Sequence, residues 1–384
     1  MTPHGVVATP VFIPVGSQAT VKALTPDDIK ALDVKLVMAN TYHLYLRPGI
    51  DVIKSLGGLH RFMSWDRALI TDSGGYQIFS LAGLRKLTDE GVIFRSHING
   101  SQHLITPELA IAYQESLGAD IILVLDECTP HTDTPAKVRR AMERTHRWAE
   151  RCLATKTRND QALFAIVQGG LFPELRRHSA GFLTALDFSG YALGGLSIGE
   201  PKAATHAMVQ ETVSLLPAAK PRYLMGVGTP EDIVSAVASG IDLFDSALPT
   251  QVARKGALFT RQGRKNIRNA GYRRQDTAFD PGCACYTCHN FSAAYLHHLF
   301  RNQELLAYRL ATIHNLHFMA GLMKDISGAI LSGSFSSFRD KFLAAYQPTD
   351  DNVRLSQKQK WLAAHRRPTA GEPPTLETET KETV

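Results

Sequence analysis

Eight short apolar runs, each closing on small or polar residues and most followed by a helical stretch, constrain this chain more than any other feature. They are residues 10–16 (PVFIPVG), 35–43 (KLVMANTYH), 68–75 (ALITDSGG), 120–127 (DIILVLDE), 163–170 (LFAIVQGG), 191–199 (YALGGLSIG), 222–228 (RYLMGVG) and 241–249 (IDLFDSALP). Helix starts stand between them. Thr25-Pro26-Asp27-Asp28, Thr106-Pro107-Glu108 and Thr229-Pro230-Glu231-Asp232 each put Pro where the first helical turn accepts it. Eight strand–helix alternations in roughly 250 residues predict an α/β fold of the (β/α)8 TIM-barrel type. An open doubly wound sheet is the second reading, but no Gly-rich dinucleotide fingerprint follows the first strand.

Two insertions interrupt the alternation. Residues 85–105 predict a β-hairpin turning at Asn99-Gly100, and residues 276–314 hold a cysteine cluster. The expected organisation is a barrel body over 1–275, a metal-binding subdomain over 276–316, C-terminal helices over 317–346 completing the outer ring, and a tail over 347–384. Residues 368–384 carry four Glu and one Lys among Pro and Thr, with almost nothing to bury, and are expected to be disordered from about residue 368. No apolar run approaches the ~20 residues that a bilayer requires. No basic-then-apolar leader opens the sequence, so the expectation is a soluble, cytoplasmic protein.

In barrels of this type the reactive groups lie at the C-terminal ends of the strands. Those ends here carry Asp72-Ser73-Gly74-Gly75, Asp126-Glu127, Gln168-Gly169-Gly170, Gly194-Gly195 and Asp245-Ser246. A single carboxylate at a strand end is ordinarily a cap or half of an ion pair. Three at equivalent positions, flanked by glycines that let a ligand approach the backbone, predict a functional mouth.

Of five cysteines, Cys283, Cys285 and Cys288 sit within six residues. Three soft ligands in one loop need a fourth for tetrahedral zinc. His314 lies 26 residues beyond Cys288, at the expected start of a helix, with His289, His297, His298 and His317 as competitors. A closed Cys3His set leaves no open position for water and would be structural. The formal net charge of +6 is uneven. Residues 246–275 hold Arg254, Lys255, Arg261, Arg264, Lys265, Arg268, Arg273 and Arg274 with no acid, interleaved with Phe259 and Tyr272. Such one-sidedness favours a polyanionic partner over a merely solvated face.

The motifs Thr71-Asp72-Ser73-Gly74-Gly75-Tyr76-Gln77, Asp126-Glu127-Cys128, Val167-Gln168-Gly169-Gly170, Gly194-Gly195-Leu196, Met225-Gly226-Val227-Gly228 and Phe244-Asp245-Ser246-Ala247-Leu248-Pro249-Thr250 resemble those of the queuine tRNA-ribosyltransferases, also called tRNA-guanine transglycosylases. Cys283, Cys285, Cys288 and His314 match the family's zinc site in type and spacing, which implies one structural Zn2+ per subunit. The resemblance runs from about residue 1 to about residue 346. It implies exchange of the wobble guanine in GUN-anticodon tRNAs (Asp, Asn, His, Tyr) for 7-aminomethyl-7-deazaguanine, a step of queuosine biosynthesis, in a cytoplasmic homodimer.

By the same resemblance, Asp245 corresponds to the nucleophile and Asp72 to the general acid/base. Two displacements by a carboxylate would pass through a covalent ribosyl-aspartate. The base pocket falls on Asp72, Ser73, Gly74, Gly75, Tyr76, Asp126, Gln168, Gly195, Leu196 and Met225, with Tyr76 or Met225 stacking on the base. The tRNA-contacting loops fall on Gly226, Val227, Gly228, Thr229, Pro230, Glu231 and Asp232, and on Thr250, Gln251, Val252, Ala253 and Arg254. Ser246 and Gln251 stand where the family usually has Cys and Arg. Ile198 stands where eukaryotic, queuine-inserting members have Gly, and its bulk would favour the smaller base.

Two other functional classes compete. A metal-dependent barrel hydrolase would need a His-x-His pair, which this sequence lacks. A non-catalytic tRNA-binding subunit would be expected to lose its catalytic carboxylates, whereas Asp72 and Asp245 are present.

Overall fold

A computed structural model describes residues 1–81 and 85–349. All eight apolar runs form strands: β1 (Val11–Pro14), β2 (Leu36–Asn40), β3 (Ala68–Asp72), β7 (Ile121–Leu123), β8 (Ala162–Val167), β9 (Gly190–Leu193), β10 (Arg222–Leu224) and β11 (Leu243–Ser246). They make one parallel sheet in the order β1-β11-β10-β9-β8-β7-β3-β2. A parallel bridge from Val15 to Met38 then joins β1 to β2, and Gly16 N–H donates to Met38 O at 2.7 Å. The wall is a nearly closed (β/α)8 barrel whose strands are buried on both faces, inward by one another and outward by helices.

Thr25, Thr106 and Thr229 all stand at helix N-caps. Thr25 forms a capping box with Asp28, its hydroxyl accepting from Asp28 N–H at 3.2 Å. Thr106 accepts from Leu109 N–H at 3.3 Å. The Thr229 hydroxyl instead donates to the Asp232 carboxylate and makes no side-chain cap.

The insertion holds the expected hairpin, β5 (Val92–Arg95) with β6 (Gln102–Ile105), and a further strand, β4 (Arg85–Leu87), on its outer side. The sequence reading missed the second turn. Thr88 N–H donates to Gly91 O at 3.0 Å, and the Thr88 hydroxyl accepts from Gly91 N–H at 3.2 Å, so residues 88–91 reverse the chain. Two tyrosine–histidine pairs seat this sheet on the Thr41–Leu46 helix: Tyr42 with His97 at 2.8 Å and Tyr45 with His103 at 2.9 Å. The indole N–H of Trp148, on the Pro135–Thr155 helix, reaches Asp89 O at 2.8 Å.

After β11 come the Leu248–Arg254 helix and an antiparallel pair, β12 (Ala257–Thr260) with β13 (Gly263–Asn266). The next long helix runs unbroken over Leu305–Leu331, so His314 lies inside it rather than at its start. No proline interrupts residues 305–331, and their buried face is continuous. Residues 350–384, including the acidic segment from 368, lie outside the described residues. Among the described residues no helix is long and apolar enough to cross a membrane.

Candidate active site and metal centre

The strand register brings the predicted carboxylates to one end of the barrel. Asp72 closes β3 opposite Asn40, Asp245 in β11 lies opposite Ile13, and Asp126 and Gln168 follow β7 and β8. All four side chains are buried.

Asp72 accepts three hydrogen bonds: from Asn40 Nδ2 at 2.7 Å, Thr41 N–H at 3.0 Å and Gln77 Nε2 at 2.7 Å. Burial nevertheless pushes its carboxyl up to about 6, with the charge of Asp245 adding to the effect. Burial also lifts Asp126 to about 6, opposed by a 2.7 Å bond from Gln168 Nε2 and assisted by the charge of Asp72. Asp245 is raised by burial as well, while Tyr223 and the Gly226 N–H pull it back. Both of those donors bind Oδ1, Tyr223 OH at 2.6 Å and Gly226 N–H at 2.8 Å. Among the described residues no donor reaches Oδ2. The mouth therefore holds three buried carboxyls, Asp245 fixed through one oxygen and Asp72 and Asp126 raised toward neutrality.

Glycine is required where the walls meet. A Cβ on Gly75 would lie 2.6 Å from the backbone oxygen of Asp126, and one on Gly195, at φ +66, would lie 2.6 Å from Gln168 Oε1. Ser73, Gly74 and Leu196 are buried beside them, with Met225 half-buried and Tyr76 exposed at 46%.

The loop after β9 is pinned by Glu200. This buried carboxylate accepts from Ser197 N–H, from Ile198 N–H at 3.0 Å, from Gly199 N–H at 3.0 Å and from the Thr205 hydroxyl at 2.6 Å. Carbonyl and N–H of a trans peptide point oppositely, so the Leu196 carbonyl faces away from Glu200. Ile198 is half-buried in this loop.

Sequence reasoning missed Glu200, Tyr223 and Arg176. Charged residues in a helix or loop read as solvent-facing, and Tyr223 in β10 carries no mark beyond being apolar enough for a strand.

Of the residues expected to meet RNA, Gly226 and Gln251 are exposed, and Thr229, Glu231, Asp232 and Arg254 are partly so. Val227, Gly228, Pro230, Thr250, Val252 and Ala253 are buried. Glu231 and Asp232 are engaged by Lys202 at 2.6 and 3.0 Å. A Cβ on Gly228 would strike the Ser246 side chain at 2.3 Å, so those two loops are packed tightly. In the basic stretch Lys255, Arg261, Lys265, Arg268, Arg273 and Arg274 are exposed. The aromatics expected to interleave with them serve the interior instead: Phe259 is buried against Phe318, and Tyr272 packs on Phe279.

Cys283, Cys285, Cys288 and His314 converge. His314 Nδ1 lies 3.7, 3.5 and 3.3 Å from the three sulfurs in turn. Tetrahedral zinc with ordinary Zn–S and Zn–N bonds separates such ligand atoms by about 3.6 Å. His314 Nε2 is 2.7 Å from Phe259 O, which fixes the tautomer and turns the Nδ1 lone pair toward the sulfurs. The set fits a metal ion such as zinc. Its competitors are placed elsewhere: His297 bonds Ile267 O at 2.8 Å, and His298 lies beside Asn302.

The neighbouring Asn315 ties the centre to the barrel. Its Nδ2 donates to Pro249 O at 2.9 Å and Ala257 O at 3.0 Å, and its Oδ1 accepts from Phe259 N–H at 3.0 Å. A second cluster, His4, His60 and Asp120, lies at the opposite end of the barrel, before β7. There the two imidazoles stack at 3.6 Å over a buried carboxylate.

The model of the family described as queuine tRNA-ribosyltransferase matches residues 1–348. A queuine tRNA-ribosyltransferase of Dehalococcoides mccartyi is 60% identical over 374 residues, 97% of this chain and 94% of the relative. Relatives of the same name from Herpetosiphon aurantiacus and Moorella thermoacetica are 54% and 52% identical, over 93% and 90% of this chain and 91% and 92% of their own lengths.

Proposed function

This chain belongs to the queuine tRNA-ribosyltransferase family, a family of pentosyltransferases, and on that premise we propose that it exchanges the wobble guanine of GUN-anticodon tRNAs for 7-aminomethyl-7-deazaguanine. One observation carries the reading. Asp245 is buried and held by two donors on Oδ1, which leaves Oδ2 for the anomeric carbon of the target ribose.

Attack by Oδ2 forms a ribosyl ester as the ribose–guanine bond breaks. Asp72, raised to about 6, hands a proton to the leaving base and takes one from the incoming base. Two inversions give net retention. The acidic walls suit the base itself. Guanine presents N–H donors that Asp126 accepts, and its carbonyl oxygen meets the Gln168 amide and the Gly195 N–H. An ammonium on the 7-substituent finds the Leu196 carbonyl, which the Glu200 contacts turn away from the loop. Tyr76 and Met225 are the candidates for stacking on the base faces. Gly226 to Asp232 and Thr250 to Arg254 line the tRNA path, with exposed Lys255 and Arg268 drawing in phosphates.

Zn2+ at the Cys3His site supplies local folding free energy and no chemistry. The enzyme acts in the cytoplasm as a homodimer, in queuosine biosynthesis.

The test is incorporation of labelled guanine and labelled aminomethyl base into an unmodified tRNA-Tyr transcript. Denaturing gels of wild type with tRNA should show a covalent adduct that Asp245→Asn lacks, since an amide cannot serve as the anionic nucleophile. An undiminished adduct in Asp245→Asn would remove this residue from the role.

A further inference from the structure

Arg176, on the Pro173–Thr184 helix, is fully buried, yet among the described residues none of its hydrogen-bond partners is a carboxylate. Its guanidinium donates to three backbone carbonyls: Nε to Gly170 O at 2.9 Å, Nη1 to Val167 O at 3.0 Å and Nη2 to Gly194 O at 2.9 Å. Burial lowers it to about 10, with the charge of Glu200 offsetting part of that effect, so it remains a cation at neutral pH. A desolvated cation is expensive for the fold, and an apolar side chain would fill the same space without that penalty.

The three carbonyls share one property: they flank the polar groups of the base pocket. Val167 precedes Gln168, Gly170 follows it by two residues, and Gly194 precedes Gly195. Carbonyl and N–H of a trans peptide are opposed, so fixing Gly194 C=O on Arg176 turns Gly195 N–H away from the guanidinium. The close approach of Gly195 to Gln168 Oε1 places the two together. The Val167–Gln168 peptide is held at both ends, its carbonyl on Arg176 and its N–H on Ser179 Oγ at 3.2 Å. Ser179 lies one turn further along the same helix.

We propose that Arg176 is a positioning residue for base recognition, aiming the Gly195 N–H and the Gln168 side chain at the carbonyl oxygen of the bound base by gripping the β8 and β9 loops from behind. Lysine cannot replace it, because an ammonium is a point charge while the guanidinium reaches three carbonyls in one plane.

The inference rests on the base-pocket reading, and the test separates the two. Inhibition constants against tRNA exchange are measured for guanine and for 2-aminopurine, which lacks the carbonyl oxygen and the adjacent N1–H, with wild type, Arg176→Lys and, to separate the N1–H contribution, Asp126→Asn. Wild type should prefer guanine; equal inhibition by both would overturn the pocket reading itself. If wild type discriminates, Arg176→Lys should lose about fivefold of that preference, since one aimed hydrogen bond is worth about 1 kcal/mol. The KM for tRNA should stay within about twofold of wild type. A merely structural role would lower the folded fraction and leave the guanine to 2-aminopurine ratio unchanged, and an unchanged ratio in folded Arg176→Lys overturns the proposal. Arg176→Gln, which keeps a donor without the charge, serves if the lysine variant does not fold. Failure of both to fold would make Arg176 a structural cation and overturn the proposal equally.

Discussion

At the scale of single residues, Ile198 is the most discriminating position. It is half-buried in a loop whose N–H groups are fixed by Glu200, so its side chain cannot swing away by a loop shift without breaking those bonds. Steric exclusion by such a branched side chain sets specificity against bulkier ligands. Exchange should proceed with 7-aminomethyl-7-deazaguanine and barely with queuine, whose cyclopentene-diol extends from the same amine. Ile198→Gly should raise queuine use at least tenfold. Competition between the two labelled bases decides it, and equal use by wild type would show that Ile198 is not the gate. The acids that gather at the barrel mouth were legible in the sequence because each stands at the end of an apolar run. The groups that hold them were not. Arg176 reads as one more surface charge of an amphipathic helix, and Glu200 as a loop carboxylate, because burial of a charge is decided by tertiary packing and leaves no local mark.

Among elements, the strands were legible and the C-terminal helices less so. A strand announces itself by a short apolar run between turn residues, whereas residues 305–316 mix apolar and polar positions and continue without a break into 317–331. The Leu305–Leu331 helix carries His314 and Asn315 side by side, one facing the cysteines and the other grasping the start of the Leu248–Arg254 helix just beyond Asp245. Loss of the metal should therefore be felt next to the strand that carries Asp245. Cys285→Ser should lose near-stoichiometric zinc by elemental analysis, and amide exchange should quicken in residues 248–260, because metal binding and local folding are coupled. A zinc-free wild type with unaltered exchange in that segment would argue against this linkage.

For the molecule as a whole, the buried carboxyls at the two ends of the barrel give stability opposite pH dependences. Asp72 and Asp126 are raised from 3.8 to about 6, so the stability they contribute is complete below about pH 4 and lost as pH rises through 6. Asp120 is the reverse case. Burial raises it, but His60, His4 and the Leu69 N–H outweigh burial and hold it at about 2, so its contribution of about 2 kcal/mol is present above pH 4 and lost toward pH 2. Melting temperatures between pH 4 and 7 should fall with rising pH less steeply in Asp126→Asn than in wild type. Identical slopes would remove Asp126 from that account. The fold has a further consequence, in time rather than energy. Asp245 lies in the last barrel strand, and that strand pairs with the first, Ile13 against Asp245. A ribosome adding ~5–20 residues per second needs roughly 10–50 s to span the ~230 residues between Pro14 and Leu243. Throughout that interval β1 waits without the neighbour it will have on that side. Until β11 emerges, a nascent chain thus lacks both the strand that closes the wall and the carboxylate proposed as nucleophile, so fold and chemistry are completed by the same stretch of chain.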